Sequence, residues 1–227
     1  MKNAYKNAIK SLQRYIPALP RILYLYAIKL SLTSAYHTYF LQITRKQLSG
    51  LNLGCGGARI DGFLNIDANL RARSDVVARV EKLKLNSDSV DMIYSSHVLE
   101  HIPRDRSKIV LAEWHRVLKP GGKLYVCVPD LEVLFKVYLD NIPFYHTDKG
   151  RYLVDKACFF TYGGQINKHE FHYNGYSFVT LESMLQMIGF KEIQRFDRSK
   201  LDFVEFEDIS TVKIGDIPMS LNIVARK

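Results

Sequence analysis

Two groups of residues near the start of the chain could do chemistry together. Leu51-Asn52-Leu53 runs straight into Gly54-Cys55-Gly56-Gly57, and Phe63-Leu64-Asn65-Ile66 closes on Asp67. A short apolar run ending in glycines is how a buried parallel strand stops where backbone must approach a ligand closely. An acid at the tip of the next strand can accept hydrogen bonds from ribose hydroxyls, so the pair suits a nucleoside. The bland alternative is a plain turn beside a solvated Asp67.

The distance inside the pair narrows the ligand. In a dinucleotide-binding unit the acid lies roughly 20 residues past the glycines, because a full helix intervenes and its N-terminus neutralises the pyrophosphate. Here only Ala58-Arg59-Ile60-Asp61-Gly62 intervenes, at most one helical turn. A site without that helix has weak means of holding phosphate. S-adenosylmethionine, an adenosine joined to a sulfonium and an amino acid, carries none. NAD is disfavoured on that ground, and so is ATP, since the turn lacks the Gly-Lys-Ser/Thr ending of a phosphate loop.

At 227 residues the chain fits one domain plus an appendage. Its net charge of +9 is unevenly placed. Residues 1–50 hold Lys2, Lys6, Lys10, Arg14, Arg21, Lys29, Arg45 and Lys46 with no Asp or Glu, leaving 24 basic and 23 acidic residues for the rest. The basicity belongs to an N-terminal arm (residues 1–45), and the domain from 46 to 227 has no separate basic face for nucleic acid. Cys55, Cys127 and Cys158 are odd in number and form no C-x-x-C pair, which fits a reducing cytoplasm and small core fillers. Glu170-Phe171-His172 has metal-like residue types but no second ligand pair at usable spacing, so no metal is expected.

The arm opens with Tyr5, Ala8, Ile9, Leu12, Tyr15 and Ile16 on one helical face, stopped by Pro17 and Pro20. Lys29 and His37 interrupt the following apolar stretch, which argues against a membrane span. Two readings fit the arm: helices packed over the domain, or an interfacial segment resting on anionic lipid. Beyond Asp67, Asp75–Val80 and Val90–Ser96 read as strands three and four. A helix over about 106–119 follows with Asp105 as its cap, and Pro120-Gly121-Gly122 turns into strand five, Lys123–Val128. Leu131–Leu139 reads as a helix. From about 140 to 175 periodicity lapses into a polar-aromatic stretch, which reads as a lid. Thr180 caps a last helix that Gly189 stops, and Phe190–Phe196 and Leu221–Ala225 close the chain as strands. This succession gives an α/β, Rossmann-like, mainly parallel sheet of about seven strands with helices on both faces.

By Pro120-Gly121-Gly122 the pattern resembles the class I S-adenosylmethionine-dependent methyltransferases, in the branch with a small generic methyltransferase domain. Leu-Asn-Leu-Gly-Cys-Gly-Gly at 51–57 is similar to the family's first motif, and Asp67 to its ribose-binding acid. Ser96-His97-Val98-Leu99-Glu100-His101 is similar to the motif after strand four, and Leu118-Lys119-Pro120-Gly121-Gly122 to the turn before strand five. The likeness runs through Gly189-Phe190 to the C-terminus and leaves out residues 1–45. It implies S-adenosylmethionine as cofactor, held by Gly54, Cys55, Gly56, Asp67, Leu83, Ser96 and His97. The chain departs from the pattern at one point. Where many relatives place an aspartate shortly before a Leu-Pro-Phe turn beside the adenine, it has Arg79 and then Leu83-Lys84-Leu85. Glu81 or a carbonyl near Leu83 is left for that task.

A sulfonium supplies its own leaving group, so the protein's share of a methyl transfer is mostly positioning and desolvation. A hydroxyl acceptor also needs a base, for which histidine is suited. The candidates beyond the carboxyl ends of the strands are His97, Glu100, His101, Asp130, His169 and His172. His101, His172 and Asp130 are the expected catalytic residues, with a helix cap as the alternative for Asp130. No Asn/Asp-Pro-Pro-Tyr or Phe motif of base methylation follows strand four, so a small-molecule or sugar-linked acceptor is expected, methylated on O or N. A non-catalytic S-adenosylmethionine-binding module at a membrane is the other reading.

Overall fold

The structure, a computed structural model, describes residues 50–167, 169–205 and 208–227. The helical arm expected over 1–45, and the domain start at 46, lie outside the described residues. Among those described, no helix is long and apolar enough to cross a membrane.

Among the described residues nine strands follow one another: β1 (Gly50–Leu53), β2 (Phe63–Asp67), β3 (Val76–Val77), β4 (Val90–Ser96), β5 (Leu118–Pro129), β6 (Lys191–Arg195), β7 (Lys213–Ile214), β8 (Ile217–Pro218) and β9 (Ser220–Arg226). Seven of them form one sheet in the order β3-β2-β1-β4-β5-β9-β6, while β7 and β8 pair separately. Parallel pairing joins β3 to β2, β2 to β1, β1 to β4 and β4 to β5. The last strand, β9, lies antiparallel between β5 and β6. Strand order reverses between β1 and β4, and an open α/β sheet binds its ligand beyond the carboxyl ends at such a point.

Among the described residues four α-helices accompany the sheet: α1 (Arg104–Val117), α2 (Leu131–Asn141), α3 (Asp148–Tyr162) and α4 (Phe178–Ile188). Leu51, Leu53, Ile93, Leu124 and Val126 face one core with Val110, Leu111 and Trp114 of α1 and Leu181 and Leu185 of α4. Trp114 is wholly buried, and its indole N–H donates to Val80 O at 3.0 Å. Truncating it to Ala would cost about 3–5 kcal/mol. On the opposite face Phe63, Tyr94, Tyr125 and Cys127 pack with Ile60 and Val204. A third cluster, around Leu134, Val137, Leu153 and Ala157, joins α2 to α3.

Several element boundaries differ from the sequence expectation for local reasons. Helix α1 begins at Arg104 after Pro103, with no side-chain cap, so Asp105 lies inside the first turn. There it can favour the helix only through the dipole. Ser177, not Thr180, caps α4. Its hydroxyl accepts from Thr180 N while the Thr180 hydroxyl accepts from Ser177 N, a reciprocal capping box. Strand β3 keeps only two residues of the six expected. The largest difference is at 140–175, which is mainly helical up to Tyr162 and irregular beyond it. Thr147 accepts from Gly150 N and starts the four-turn helix α3, and Gly150 is required because a Cβ there would lie 2.0 Å from Phe144 O.

Candidate active site

The glycine turn is braced by buried amides. Asn52 donates to Ala58 O at 2.7 Å and to Asn65 Oδ1 at 2.9 Å, and Asn65 Oδ1 also accepts from Ile60 N at 2.8 Å. Gly54 N and Cys55 N both donate to Ile66 O. The two glycines have different reasons to be glycine. Gly54 has φ +69 and a Cβ on it would lie 2.2 Å from Val98 Cγ2, so Val98, in the turn after β4, packs where its side chain would be. Gly56 has φ +51 with nothing within 4 Å, so the left-handed backbone alone demands it.

Asp67 closes this loop on itself. Its Oδ2 accepts from Gly56 N and its Oδ1 from Asn69 N, each at 2.7 Å. A carboxylate has about four lone-pair sites, so two remain for ribose hydroxyls. Asp67 and Gly54 line a cleft of about 360 Å³ with Asn69, Arg79, Glu81, His97, His101 and His169. Cys55 is buried in the turn at 4% exposure and does not line the cleft; Gly56 and Ser96 do not line it either. The Ser96 hydroxyl is buried without a hydrogen-bond partner among the described residues.

Leu83 requires a correction. It is buried in the core, its N–H donates to Glu113 Oε1 at 2.7 Å, and its carbonyl accepts from Arg116 Nη2 at 3.1 Å. Both main-chain groups are spent, and Leu83 stands away from the cleft. Of the two substitutes for the missing adenine-side aspartate, Glu81 is the one on the cleft wall. Arg79 Nη2 lies 2.6 Å from its Oε1 and Arg106 Nη2 at 3.4 Å. Burial opposes ionisation of Glu81 most strongly, but the Arg79 hydrogen bond, a backbone hydrogen bond and the charges of Arg79 and Arg106 together outweigh it and hold the carboxyl below the usual range.

At the end of β4 the backbone turns left-handed at His97 (φ 53) and enters a short 3-10 turn, Leu99–His101. That turn brings His97 and Glu100 face to face, with Nδ1 at 2.9 Å from Oε1 and both side chains almost fully buried. The approach is close but out of line, and neither carboxylate oxygen receives a directed hydrogen bond from a described residue. Burial by itself pushes the Glu100 carboxyl up. The His97 imidazole, with His101 behind it, more than reverses that. On its other side His97 Nε2 meets Ser220 Oγ at 2.9 Å, the first residue of β9.

The lid docks onto this turn. Tyr173 N and Asn174 N both donate to the Glu100 carbonyl, and Phe171 O faces His101 Nδ1 at 3.0 Å. The His101 and His172 rings thereby meet edge to face with centroids 4.8 Å apart. Burial lowers the His172 pKa below the ordinary histidine value. Two of the three expected catalytic residues are thus together, and His101 also lines the cofactor cleft. Asp130 is engaged elsewhere. It accepts from Glu132 N to cap α2 and pairs with Arg195 Nη1 at 3.0 Å, so its geometry is that of the cap alternative. Sequence reasoning named Glu100 among the candidates without foreseeing that the lid docks on its carbonyl, and it missed Asn52 and Asn65 as braces of the turn.

Residues 62–126 match the model of the methyltransferase domain family. No curated protein matches the chain. Among solved structures, an S-adenosylmethionine-dependent methyltransferase from Archaeoglobus fulgidus aligns at TM-score 0.47 and 14% identity, covering 88% of this chain and 94% of that one. One from Methanosarcina mazei aligns at TM-score 0.49 and 16% identity, covering 78% and 91%. One from Mesorhizobium loti aligns at TM-score 0.44 and 19% identity, covering 83% and 96%. The matched segment spans β2 to β5, which includes Asp67 and the whole turn after β4. The match makes residues 62–126 similar to a methyltransferase domain, and S-adenosylmethionine is the cofactor that such a likeness implies. The site fits that group: an acid with spare lone pairs, a glycine turn without a phosphate-binding helix, and a second, partly buried acid, Glu81, on the same wall.

Proposed function

We propose that the chain methylates oxygen or nitrogen of a compact small-molecule or sugar-linked acceptor, which enters between the turn after β4 and the lid. The observation that carries this reading is the meeting of His101, on the wall of the cofactor cleft, with His172 of the lid. Bound at Gly54, Asp67 and Glu81, the cofactor supplies an activated methyl group on a sulfonium. The chain's own residues do the rest. Asp67 orients the ribose, and Glu81 serves the adenine side. His101 and His172 bind the acceptor's polar atom or take its proton. Along the lid Phe144, Tyr145, Phe159, Tyr162 and Tyr173 expose large ring surfaces, apt for a ring or sugar face and for excluding water.

The test is a panel of hydroxyl- and amine-bearing small molecules and sugars, with release of the demethylated cofactor as the readout. Turnover with at least one, lost in His172→Ala, supports the reading. Turnover only with nucleic acid or protein acceptors would contradict it. Contact of the basic arm with anionic lipid is a separate proposal, supported by the eight basic and no acidic residues of the first fifty. Full-length protein should sediment with anionic liposomes at low salt and be released at high salt. Indifference to such liposomes would favour helices packed over the domain.

A further inference from the structure

Glu100, His101 and His172 form a cluster that neither the fold nor cofactor binding requires. Their donor atoms lie within 4.8 Å of one another. Glu100 is fully buried, and apart from the oblique His97 contact its carboxylate has no partner among the described residues. A buried charge of this kind is ordinarily paired, hydrogen-bonded or bound to a metal. His97 stands against one oxygen and leaves the other.

The two histidines are set up alike. His101 Nδ1 lies 3.0 Å from Phe171 O, and His172 Nδ1 lies 2.9 Å from Phe160 O. A carbonyl oxygen only accepts, so in both rings Nδ1 carries the hydrogen and the lone pair sits on Nε2. A carbonyl behind one ring nitrogen is the arrangement that orients metal-ligating imidazoles through the other. The sequence argued against a metal because Glu170-Phe171-His172 lacked a second ligand pair. The fold supplies that pair from the turn after β4, 70 residues earlier in the chain.

We propose that Glu100, His101 and His172 bind one divalent transition-metal ion of the Zn²⁺ type. Two imidazoles and a carboxylate make up three ligands of a tetrahedral site and leave the fourth position open. Mg²⁺ and Ca²⁺ are the wrong class, since they want mostly oxygen ligands. Bonds of about 2.1 Å would bring the donor atoms to roughly 3.4 Å apart, a modest closure of the cluster. The open position takes an oxygen or nitrogen lone pair of the acceptor. That role rests on the acceptor-side reading above; the site itself does not.

Chelator-treated full-length protein should be titrated with ZnCl₂ alone by calorimetry, and with Co²⁺ while its visible spectrum is recorded. One equivalent should bind, with the intense Co²⁺ bands of a tetrahedral site. His101→Asn and His172→Asn should each weaken binding at least as much as the roughly 10- to 100-fold typical of an outer-shell loss. His146→Ala and His169→Ala should leave it unchanged. Glu100→Gln should behave like the two histidine variants; if it fails to fold, those two decide. Absence of saturable binding, or binding that survives both histidine substitutions, overturns the site. If Zn²⁺ binds but chelation leaves acceptor KM and kcat unchanged, the ion's part in holding the acceptor is overturned and the methyltransferase reading stands.

Discussion

The two sides of the active cleft are built in different ways. The cofactor side is local: Gly54 and Cys55 hang from Ile66 O, Gly56 is tied to Asp67, and the braces Asn52 and Asn65 sit on the strands that flank the turn. The acceptor side is assembled across the chain. Glu100 and His101 come from the turn after β4, His172 comes from the far end of the lid, and two main-chain hydrogen bonds and one from the His101 ring lock the two together. One side is therefore as stable as the central sheet, and the other depends on the docking of the lid. Damage to either should leave the other working.

The strongest way to break that comparison is at His172. His172→Ala should lower kcat/KM by roughly 100-fold or more with cofactor affinity unchanged, measured by steady-state kinetics beside calorimetry. A fall in kcat locates the residue at the reacting atoms, and a rise in KM alone makes it an acceptor clamp. Next comes the contrast between the two glycines. Gly54→Ala combines a strained φ with a collision against Val98, and should cost roughly 3 kcal/mol or more in urea unfolding. Gly56→Ala meets open space and should cost about 1–2 kcal/mol, the left-handed penalty alone. Equal losses would mean that Val98 yields and that the packing argument is wrong. The smallest effect belongs to Asp105→Ala, which removes a dipole partner rather than a cap and should cost about 0.3–1 kcal/mol. A larger loss would restore the capping role.

The same contrast sets what could be read from the sequence. The glycine turn, Asp67, β4 and Gly189 were legible because each rests on contiguous residues whose pattern states its own geometry. Leu83 was misplaced because its use by Glu113 and Arg116 depends on the packing of α1, which the motif does not encode. Helix α3 hid behind exposed aromatics and a glycine in its first turn, although Thr147 with Leu153, Val154 and Ala157 behind it carried a cap and an apolar face. The insertion of β9 between β5 and β6, and the meeting of His101 with His172, are long-range pairings. Nothing local to either partner announces them.

The most direct test of the account is one titration of S-adenosylmethionine into two variants, Asp67→Ala and His172→Ala, against the wild type. Loss of the Asp67 carboxylate removes a charge-assisted acceptor worth about 1.5–3 kcal/mol, so affinity should fall about 10- to 150-fold in that variant. In His172→Ala it should match the wild type. An unchanged affinity in Asp67→Ala, or an equal fall in both, would contradict the division of the cleft into a cofactor side and an acceptor side.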